Sequence, residues 1–235
     1  MNIRDDIRDA ILKSIDVRTQ AAELHLERGT IDVGLRSQVT SGKHLDALAD
    51  VVEADLIKAG LSDECIFKGP SSVEIPGWFR ATKKWDILAF HEDRLVSAIE
   101  MKSIFGSYGN NINNRAEEAI GESTDAVFAI KNRLIDQTIP PILGYALIVK
   151  SDEKSRSICR DPSERHFSID PEFYETSYID RFRIMCKRLR RESLFGAVWF
   201  VVVDPIDRCV IEPDPDLTYE KFIAEITGRI KVFQS

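Results

Sequence analysis

The sequence has few of the residues that build disulfide frameworks or zinc sites. Its four cysteines, at positions 65, 159, 186 and 209, are widely scattered and contain no CxxC pair. Its four histidines form no HExxH or other metal-binding pattern. This spacing favours reduced thiols in a cytosolic protein over disulfides or a zinc centre.

Long apolar runs are also missing. No stretch is long enough to span a bilayer, and residues 1–6 are too charged for a signal peptide. We therefore expect a cytoplasmic protein without a membrane partner. With 235 residues and 43% hydrophobic content, the chain can bury a substantial core. One α/β domain is the simplest expectation, and two small domains are the alternative.

The chain also lacks net positive charge, since its formal charge is −7. This balance counts against nucleic acid as a partner, although a DNA-binding surface must be basic only locally. Residues 179–191 carry six bases against one acid, whereas residues 204–225 carry seven acids against two bases. The basic segment has two interpretations, a solvated helix with Phe182, Met185 and Leu189 turned inward, or a surface that touches phosphates.

Three charged residues beside two apolar runs carry the chemical signal. Asp86 lies in the first run, within residues 84–88. Glu100 and Lys102 lie at the end of the second run, which begins at Leu95. The polar break 91–94 is typical of a connection between antiparallel strands. A three-residue connection would place Asp86 opposite Glu100, whereas a strict two-residue turn would pair Asp86 with Ile99. Glu100 and Lys102 share a face in either case, because strand side chains alternate.

These residue types suit metal-dependent hydrolysis of a phosphodiester. Carboxylates are ligands that Mg²⁺ prefers, and Mg²⁺ keeps several waters for exchange with a phosphate. A lysine supplies a compact charge that holds the attacking water and offsets charge on phosphorus. We predict Asp86, Glu100 and Lys102 as catalytic residues, with Asp86 and Glu100 as metal ligands. The alternative is a polar strand end facing solvent, but the apolar flanks favour a buried strand.

Asparagine is unusually frequent in the segment that follows. Four Asn occur within residues 110–114, and an arginine comes next. Asn amides and Arg guanidinium groups match the edges of adenine and guanine. We predict a DNA-contacting loop that ends where a helix runs on from Asn114, since an Asn N-cap explains only part of this composition. The residues predicted to contact DNA are Ser107, Asn110, Asn111, Asn113, Asn114 and Arg115, with Arg80, Lys83 and Lys84 as phosphate contacts.

In these segments the sequence resembles the XhoI-type restriction endonucleases, a branch of the PD-(D/E)XK nucleases. The similar pieces are Ser41-Gly42 followed by Asp46, and residues 75–86, 100–103 and 109–119. The wider superfamily usually has Pro before its first catalytic Asp, where this chain has Trp85.

The resemblance implies a homodimeric, Mg²⁺-dependent endonuclease that acts on double-stranded DNA at a six-base palindrome. It suggests CTCGAG, cut after the first C to leave 5′ overhangs, and a cognate DNA methyltransferase as functional partner. The palindrome stays open, because few substitutions among base-reading side chains can change it. PD-(D/E)XK nucleases also often carry an acid on the helix before the first catalytic strand. Asp46 is the candidate for this additional acid, which would assist metal binding or order a metal-bound water. The alternative is that Asp46, Asp50 and Glu53 form an ordinary solvated face of the helix.

Two other functions share parts of this pattern. A PD-(D/E)XK repair nuclease or junction resolvase would have the same three catalytic residues but would recognise DNA structure rather than sequence. A non-catalytic DNA-binding module would keep Asp86, Glu100 and Lys102 only as relicts, and the intact set argues against this.

The remaining patterns predict an α/β fold with a central mixed sheet flanked by helices. The resemblance implies that this fold is the restriction-endonuclease-like fold of the PD-(D/E)XK nucleases. We expect a single domain over residues 1–235, with an N-terminal helical part over about 1–60 and a catalytic core over about 61–235. The predicted helices cover residues 3–28, 43–59, 114–136 and 179–191 and begin again near 219. The other predicted elements are strands over 84–88, 95–102, 142–149 and 197–203 and a polar loop over 152–171.

Overall fold

The computed structural model describes residues 3–27, 43–69, 74–160 and 166–234, with backbone alone for residues 20–27 and 43. The helices in these ranges are α1 (Asp5–Glu27), α2 (Asp46–Lys58), α3 (Tyr108–Lys131), α4 (Glu153–Arg156), α5 (Tyr178–Arg191) and α6 (Tyr219–Gln234). The strands are β1 (Ile66–Lys68), β2 (Glu74–Pro76), β3 (Thr82–Lys84), β4 (Ile87–His91), β5 (Arg94–Ile104), β6 (Ile142–Lys150), β7 (Ala197–Asp204) and β8 (Cys209–Ile211). The predicted loop around Gly34 and the Ser41-Gly42 pair lie outside the described residues.

Six strands form one mixed sheet in the order β1-β4-β5-β6-β7-β8. The central strands β5, β6 and β7 run parallel, and the pairs β1–β4, β4–β5 and β7–β8 are antiparallel. The remaining strands, β2 and β3, pair with each other as a hairpin that leads into β4. The predicted α/β class with a central mixed sheet is therefore confirmed.

Helices cover both faces of this sheet. On β7, Trp199 and Val201 belong to a buried cluster with residues of α1, α2 and α6. Val198 and Phe200 point the other way, into a cluster with residues of α3 and α5. Because both faces are covered, β6 is buried from Ile142 to Val149, and its sequence is a continuous apolar run.

The connection between β4 and β5 sets the position of Asp86. A two-residue turn joins the strands, and by itself would pair Asp86 with Ile99. A register shift just after Ala89 adds one residue to β5, so Ile99 pairs with Ile87 instead. Asp86 therefore lies level with Glu100. The predicted register is confirmed, but the predicted three-residue connection is wrong, because a β-bulge supplies the additional residue.

The basic segment forms α5 with its apolar residues buried, as one of its two interpretations predicted. Many of its basic side chains pair with acids of this chain rather than remaining available to phosphates. Two of these acids belong to the acidic segment, so the two charged segments partly neutralise each other. The pairs include Arg183–Asp214 at 3.4 Å, Arg190–Glu225 at 3.2 Å and Arg188–Asp170 at 2.7 Å.

Some boundaries differ from the prediction. The Asn-rich segment is not a loop, because α3 already begins at Tyr108. Asn and Gly are weak helix formers, but packing of the buried Tyr108 and Ala119 outweighs their propensity. The same helix ends at Lys131 rather than near Asp136. In the predicted polar loop, α4 forms a single short turn, and residues 161–165 lie outside the described ranges. No described helix is long and apolar enough to cross a membrane.

Candidate active site

The structure brings Asp86, Glu100 and Lys102 together, as their spacing predicted. The Oδ2 atom of Asp86 accepts a 2.7 Å hydrogen bond from the backbone N–H of Met101. Glu100 is only 4% exposed, and its Oε1 atom forms an ion pair with the Lys102 ammonium. The bond from Met101 ties the two strands together at the point where the carboxylates meet.

A second lysine lies in this cluster. The Nζ atom of Lys83 is 3.1 Å from Glu100 Oε2 and 3.0 Å from Glu122 Oε1. It also lies 4.7 Å from the centre of the Trp85 ring, within the range of a cation–π interaction. Only 9% of Lys83 is exposed. The structure thus places Lys83 among buried carboxylates, and not on the surface where a phosphate contact would need it.

Glu122 of α3 is a site residue that the sequence analysis missed. It is 9% exposed, and its Oε2 atom is buried without a hydrogen-bond partner. A signal was present, because Glu122 and Asp125 share a helical face with the buried Ala119 and Ala126. Acids at core-facing positions of a helix are expensive and usually have a specific partner.

Burial and mutual repulsion shift the ionisation of these groups. Burial, followed by the charge of Glu100, raises the pKa of Asp86 to about 6. Burial and Glu100 also raise the pKa of Glu122 above its usual range. For Lys102, burial lowers the pKa, but Glu100 and Glu122 outweigh it and leave the pKa raised. The acids thus favour an added proton or cation, while the ammonium of Lys102 is held in its charged form.

Comparison with known proteins places the chain in a family. Residues 24–210 match the family profile described as "Restriction endonuclease XhoI". The chain belongs to the XhoI restriction endonuclease family. No solved structure shows significant similarity to the chain.

Three curated relatives of the XhoI family are type II restriction enzymes. XhoI of Xanthomonas vasicola is 40% identical over 176 residues, which cover 74% of this chain and 70% of the relative. BstVI of Geobacillus stearothermophilus is 34% identical over 208 residues, covering 85% and 92%. AbrI of Azospirillum brasilense is 35% identical over 162 residues, covering 68% and 72%. The chain is accordingly an endonuclease of this class, and its substrate class is DNA.

Type II restriction enzymes generally use a divalent metal ion, and the donor set of this XhoI-family chain fits one. Asp86, Glu100 and Glu122 offer carboxylate oxygens, and the Oε2 atom of Glu122 is a buried acceptor without a hydrogen-bond partner. Among the described residues, no three His, Cys, Asp or Glu side chains already form a complete metal-binding group. The Lys83 ammonium lies between the carboxylates of Glu100 and Glu122 and pairs with both.

The four asparagines of residues 110–114 lie on the first turns of α3. Asn110, Asn113 and Asn114 are exposed and share one helical face. Asn111 differs, because its side chain donates to the Gly106 carbonyl at 2.8 Å. The N-cap position is occupied by Ser107, which adopts a left-handed conformation and makes no side-chain cap bond, so no asparagine caps this helix.

Three other residues predicted to contact DNA differ in their freedom to do so. Arg115 forms a 2.8 Å ion pair with Glu118 on the same helix. Arg80 is partly exposed, but its Nε atom lies 3.0 Å from Asp125 Oδ2. Lys84 is exposed beside the buried Lys83.

Asp46, the predicted additional acid, is exposed at the first residue of α2. The 3-10 turn just before α2 meets β5 through His44, whose Nε2 atom is 2.8 Å from the Ser103 hydroxyl. The buried acid that joins Glu100 through a shared lysine is Glu122 on α3, and not an acid of α2.

Proposed function

We propose that this protein is a Mg²⁺-dependent type II restriction endonuclease that hydrolyses both strands of double-stranded DNA at a short palindrome. The observation that supports this most directly is the level placement of Asp86 and Glu100, with Lys102 paired to Glu100. Two carboxylates and an ammonium on rigid strands are the groups that metal-assisted phosphodiester hydrolysis requires.

We assign separate roles to the side chains of the site. Asp86 and Glu100 hold the metal ion, and Asp46 stays a weaker candidate for this role. When bound, Mg²⁺ would polarise the phosphodiester and promote ionisation of the attacking water. Lys102 orients that water and offsets the charge that develops on phosphorus. Lys83 is a positioning residue, because it reaches Glu100 and Glu122 and keeps both side chains in place.

DNA recognition is assigned to two groups of residues, one at the start of α3 and one on the β2–β3 hairpin. Asn110, Asn113 and Asn114 form one exposed helical face that suits base edges, and Ser107 and Arg115 are further contacts beside it. The Asn111 side chain bonds to the Gly106 carbonyl and positions the first turn of α3. Arg80 and Lys84 are phosphate contacts. By the resemblance of the motifs, the proposed target is CTCGAG, cut after the first C to leave 5′ overhangs.

The assembly and context follow from the same proposal. A palindrome presents one half-site twice, so a homodimer can place one active site on each strand. The chain would be a single PD-(D/E)XK domain over residues 1–235, acting in the cytoplasm beside a cognate DNA methyltransferase. The mixed sheet with the candidate active site at β4 and β5 supports this fold type.

Digestion of one mapped plasmid tests the proposed function. Purified protein with Mg²⁺ should give a fixed set of fragments, and sequencing their ends should return one palindrome and one cut position. EDTA should abolish the pattern. Cleavage only at junctions or lesions would indicate a repair nuclease or resolvase, and DNA binding without any cleavage would indicate a non-catalytic module. Fragments with a palindrome other than CTCGAG would revise the target alone.

A further inference from the structure

Two large aromatic rings are exposed at the end of the β2–β3 hairpin. The hairpin tip, residues 77–81, carries Trp78 with 45% exposure and Phe79 with 68% exposure. Phe79 also packs on Phe128 of α3, with ring centroids 5.6 Å apart. Adjacent exposed rings of this size are typical of a surface that binds a partner.

The backbone of the hairpin tip is held firmly beneath these rings. The backbone N–H groups of Trp78 and Phe79 both donate to Oδ1 of the buried Asp125, each at 2.7 Å. The other carboxylate oxygen pairs with Arg80. Gly77 leaves room for this carboxylate, since a Cβ atom there would lie 2.5 Å from Asp125 Oδ2. A buried acid thus orders a loop whose rings face solvent, which is the arrangement of a preorganised contact.

The hairpin tip lies close to the candidate active site. Phe79 is four residues before Lys83, which corresponds to about 13 Å of extended chain at most. On α3, Glu122 lies about two turns after Asn114 and about one turn before Asp125. Along α3, the asparagine face therefore lies on the N-terminal side of Glu122, and Asp125, which binds the hairpin tip, lies on the C-terminal side.

The charges around the rings favour DNA over a second copy of this chain. Arg80 lies within the tip, the exposed Lys84 follows it in sequence, and the Lys131 ammonium lies 5.7 Å from the centre of the Phe128 ring. In a two-fold contact between copies, Lys84 and Lys131 of both copies would gather at one interface and repel, since of these three cations only Arg80 has an acid partner among the described residues, in Asp125. Phosphates on either side of a base step would instead neutralise them, while the step offers an apolar surface to the rings.

We propose that the hairpin tip is a DNA-contacting wedge, in which Trp78 and Phe79 pack against sugars and bases beside the scissile phosphate. This inference rests on the proposed function, because it requires that the site binds duplex DNA. It adds a contact that is apolar and depends on shape, next to the polar contacts assigned to α3.

Tryptophan fluorescence offers a direct test. Of the three tryptophans, Trp85 and Trp199 are buried, with exposures of 1% and 0%, so quenching by acrylamide reports mainly on Trp78. The experiment uses the Glu100→Gln variant, expected to bind without cleaving, and a duplex containing the sequenced cut site. Anisotropy of a dye on the duplex records binding in the same sample. The Trp78→Phe substitution in this background should remove the quenchable component and retain DNA binding.

The expected result is a severalfold fall in the quenching constant when the duplex binds. An unchanged constant with bound duplex would overturn the wedge and leave the proposed function standing. If the quenching constant instead falls when the protein concentration is raised without DNA, Trp78 is covered by a second copy of the chain, and the wedge is overturned. Failure of the duplex to bind at all, together with no cleavage by the unmodified chain, would overturn both proposals.

Alanine substitutions give a second measurement. Trp78→Ala and Phe79→Ala should each weaken duplex binding about 5- to 100-fold, the range for a lost aromatic stacking contact. Trp78→Phe should retain most of the affinity, because it keeps a ring. Ile206→Ala is the matched control, since Ile206 is 89% exposed in the turn between β7 and β8. Equal affinity of the two alanine variants and the control would contradict the wedge, and thermal melting verifies folding of each variant.

Discussion

The backbone N–H of Met101 donates to Asp86 Oδ2 at 2.7 Å, so the residue between Glu100 and Lys102 holds the carboxylate of the neighbouring strand. This bond crosses from β5 to the start of β4 at the level of the candidate metal ligands. It keeps Asp86 close to Glu100 although both acids are shielded from water and repel each other. The site therefore has a built-in electrostatic cost that a bound cation would relieve.

Stability measurements should detect this cost in the metal-free protein. Asp86 has a pKa of about 6 in the fold, against roughly 4 in the unfolded chain. As pH rises between these values, the unfolded state releases its proton first, so the free energy of unfolding falls and then levels off above about pH 6. Two pKa units set an upper limit of roughly 3 kcal/mol.

Urea unfolding of the wild type and Asp86→Asn in EDTA measures the effect. Asp86→Asn should be stabilising near neutral pH by about 1–3 kcal/mol and nearly neutral below about pH 4. A stability difference that does not depend on pH would contradict the assigned charge repulsion. Adding Mg²⁺ should raise the stability of the wild type more than that of the variant.

Removing catalytic groups should separate cleavage from DNA binding. Glu100→Gln and Lys102→Met preserve side-chain size but remove charges at the proposed scissile phosphate. We expect each to lower the cleavage rate at least about 100-fold, as losses of comparable transition-state contacts do. Binding of the cognate duplex, measured by anisotropy, should change little. Cleavage near the wild-type rate in either variant would refute the assignment of that residue.

The neighbouring residues Lys83 and Lys84 should behave differently although they have the same chemistry. Lys83→Met leaves Glu100 and Glu122 buried without their shared partner, so it should destabilise the fold by on the order of 3 kcal/mol and abolish cleavage. Lys84→Met removes an exposed cation, so stability should hold while binding weakens for all sequences and depends less on salt. Thermal melting and anisotropy at several salt concentrations distinguish the two. Equal effects of both variants would show that the burial of Lys83 has no consequence.

The asparagine face of α3 should affect sequence discrimination. Replacing Asn110, Asn113 or Asn114 by Ala should cost about 1–3 kcal/mol at one base pair of the site and relax discrimination there. The measurement is a competition series with single-base variants of the duplex at fixed salt. Asn111→Ala is the control, because that side chain bonds to the Gly106 carbonyl and its loss should lower stability rather than specificity. Uniform loss of affinity across all duplexes would assign base recognition to other residues.

Analytical ultracentrifugation checks the proposed assembly. A two-fold dimer should sediment with twice the 26.7 kDa mass of one chain, free or on a palindromic duplex. A mutated half-site should weaken binding and reduce double-strand cleavage together. Monomers alone, in both the free and the DNA-bound state, would contradict the homodimer.

Much of the candidate site could be predicted from the sequence, because Asp86, Glu100 and Lys102 lie on two strands that are adjacent in the chain. Short, nearly continuous apolar runs predict β4 and β5. Side-chain alternation along a strand places Glu100 and Lys102 on one face whatever the turn. The apolar run of β6 likewise indicates a strand covered on both faces. The level placement of Asp86 and Glu100 was also predicted, although a β-bulge rather than a longer turn produces it.

The tertiary structure alone decided which charges meet. Lys83 and Lys84 are adjacent in sequence, but the β2–β3 hairpin turns one into the site and the other toward solvent. Glu122 became a site residue because α3 packs its core-facing side near Glu100. The asparagine segment became helical because buried contacts of Tyr108 and Ala119 outweigh its weak helix propensity. Local patterns determine strands and faces, whereas contacts between distant segments depend on packing energies that no single segment contains.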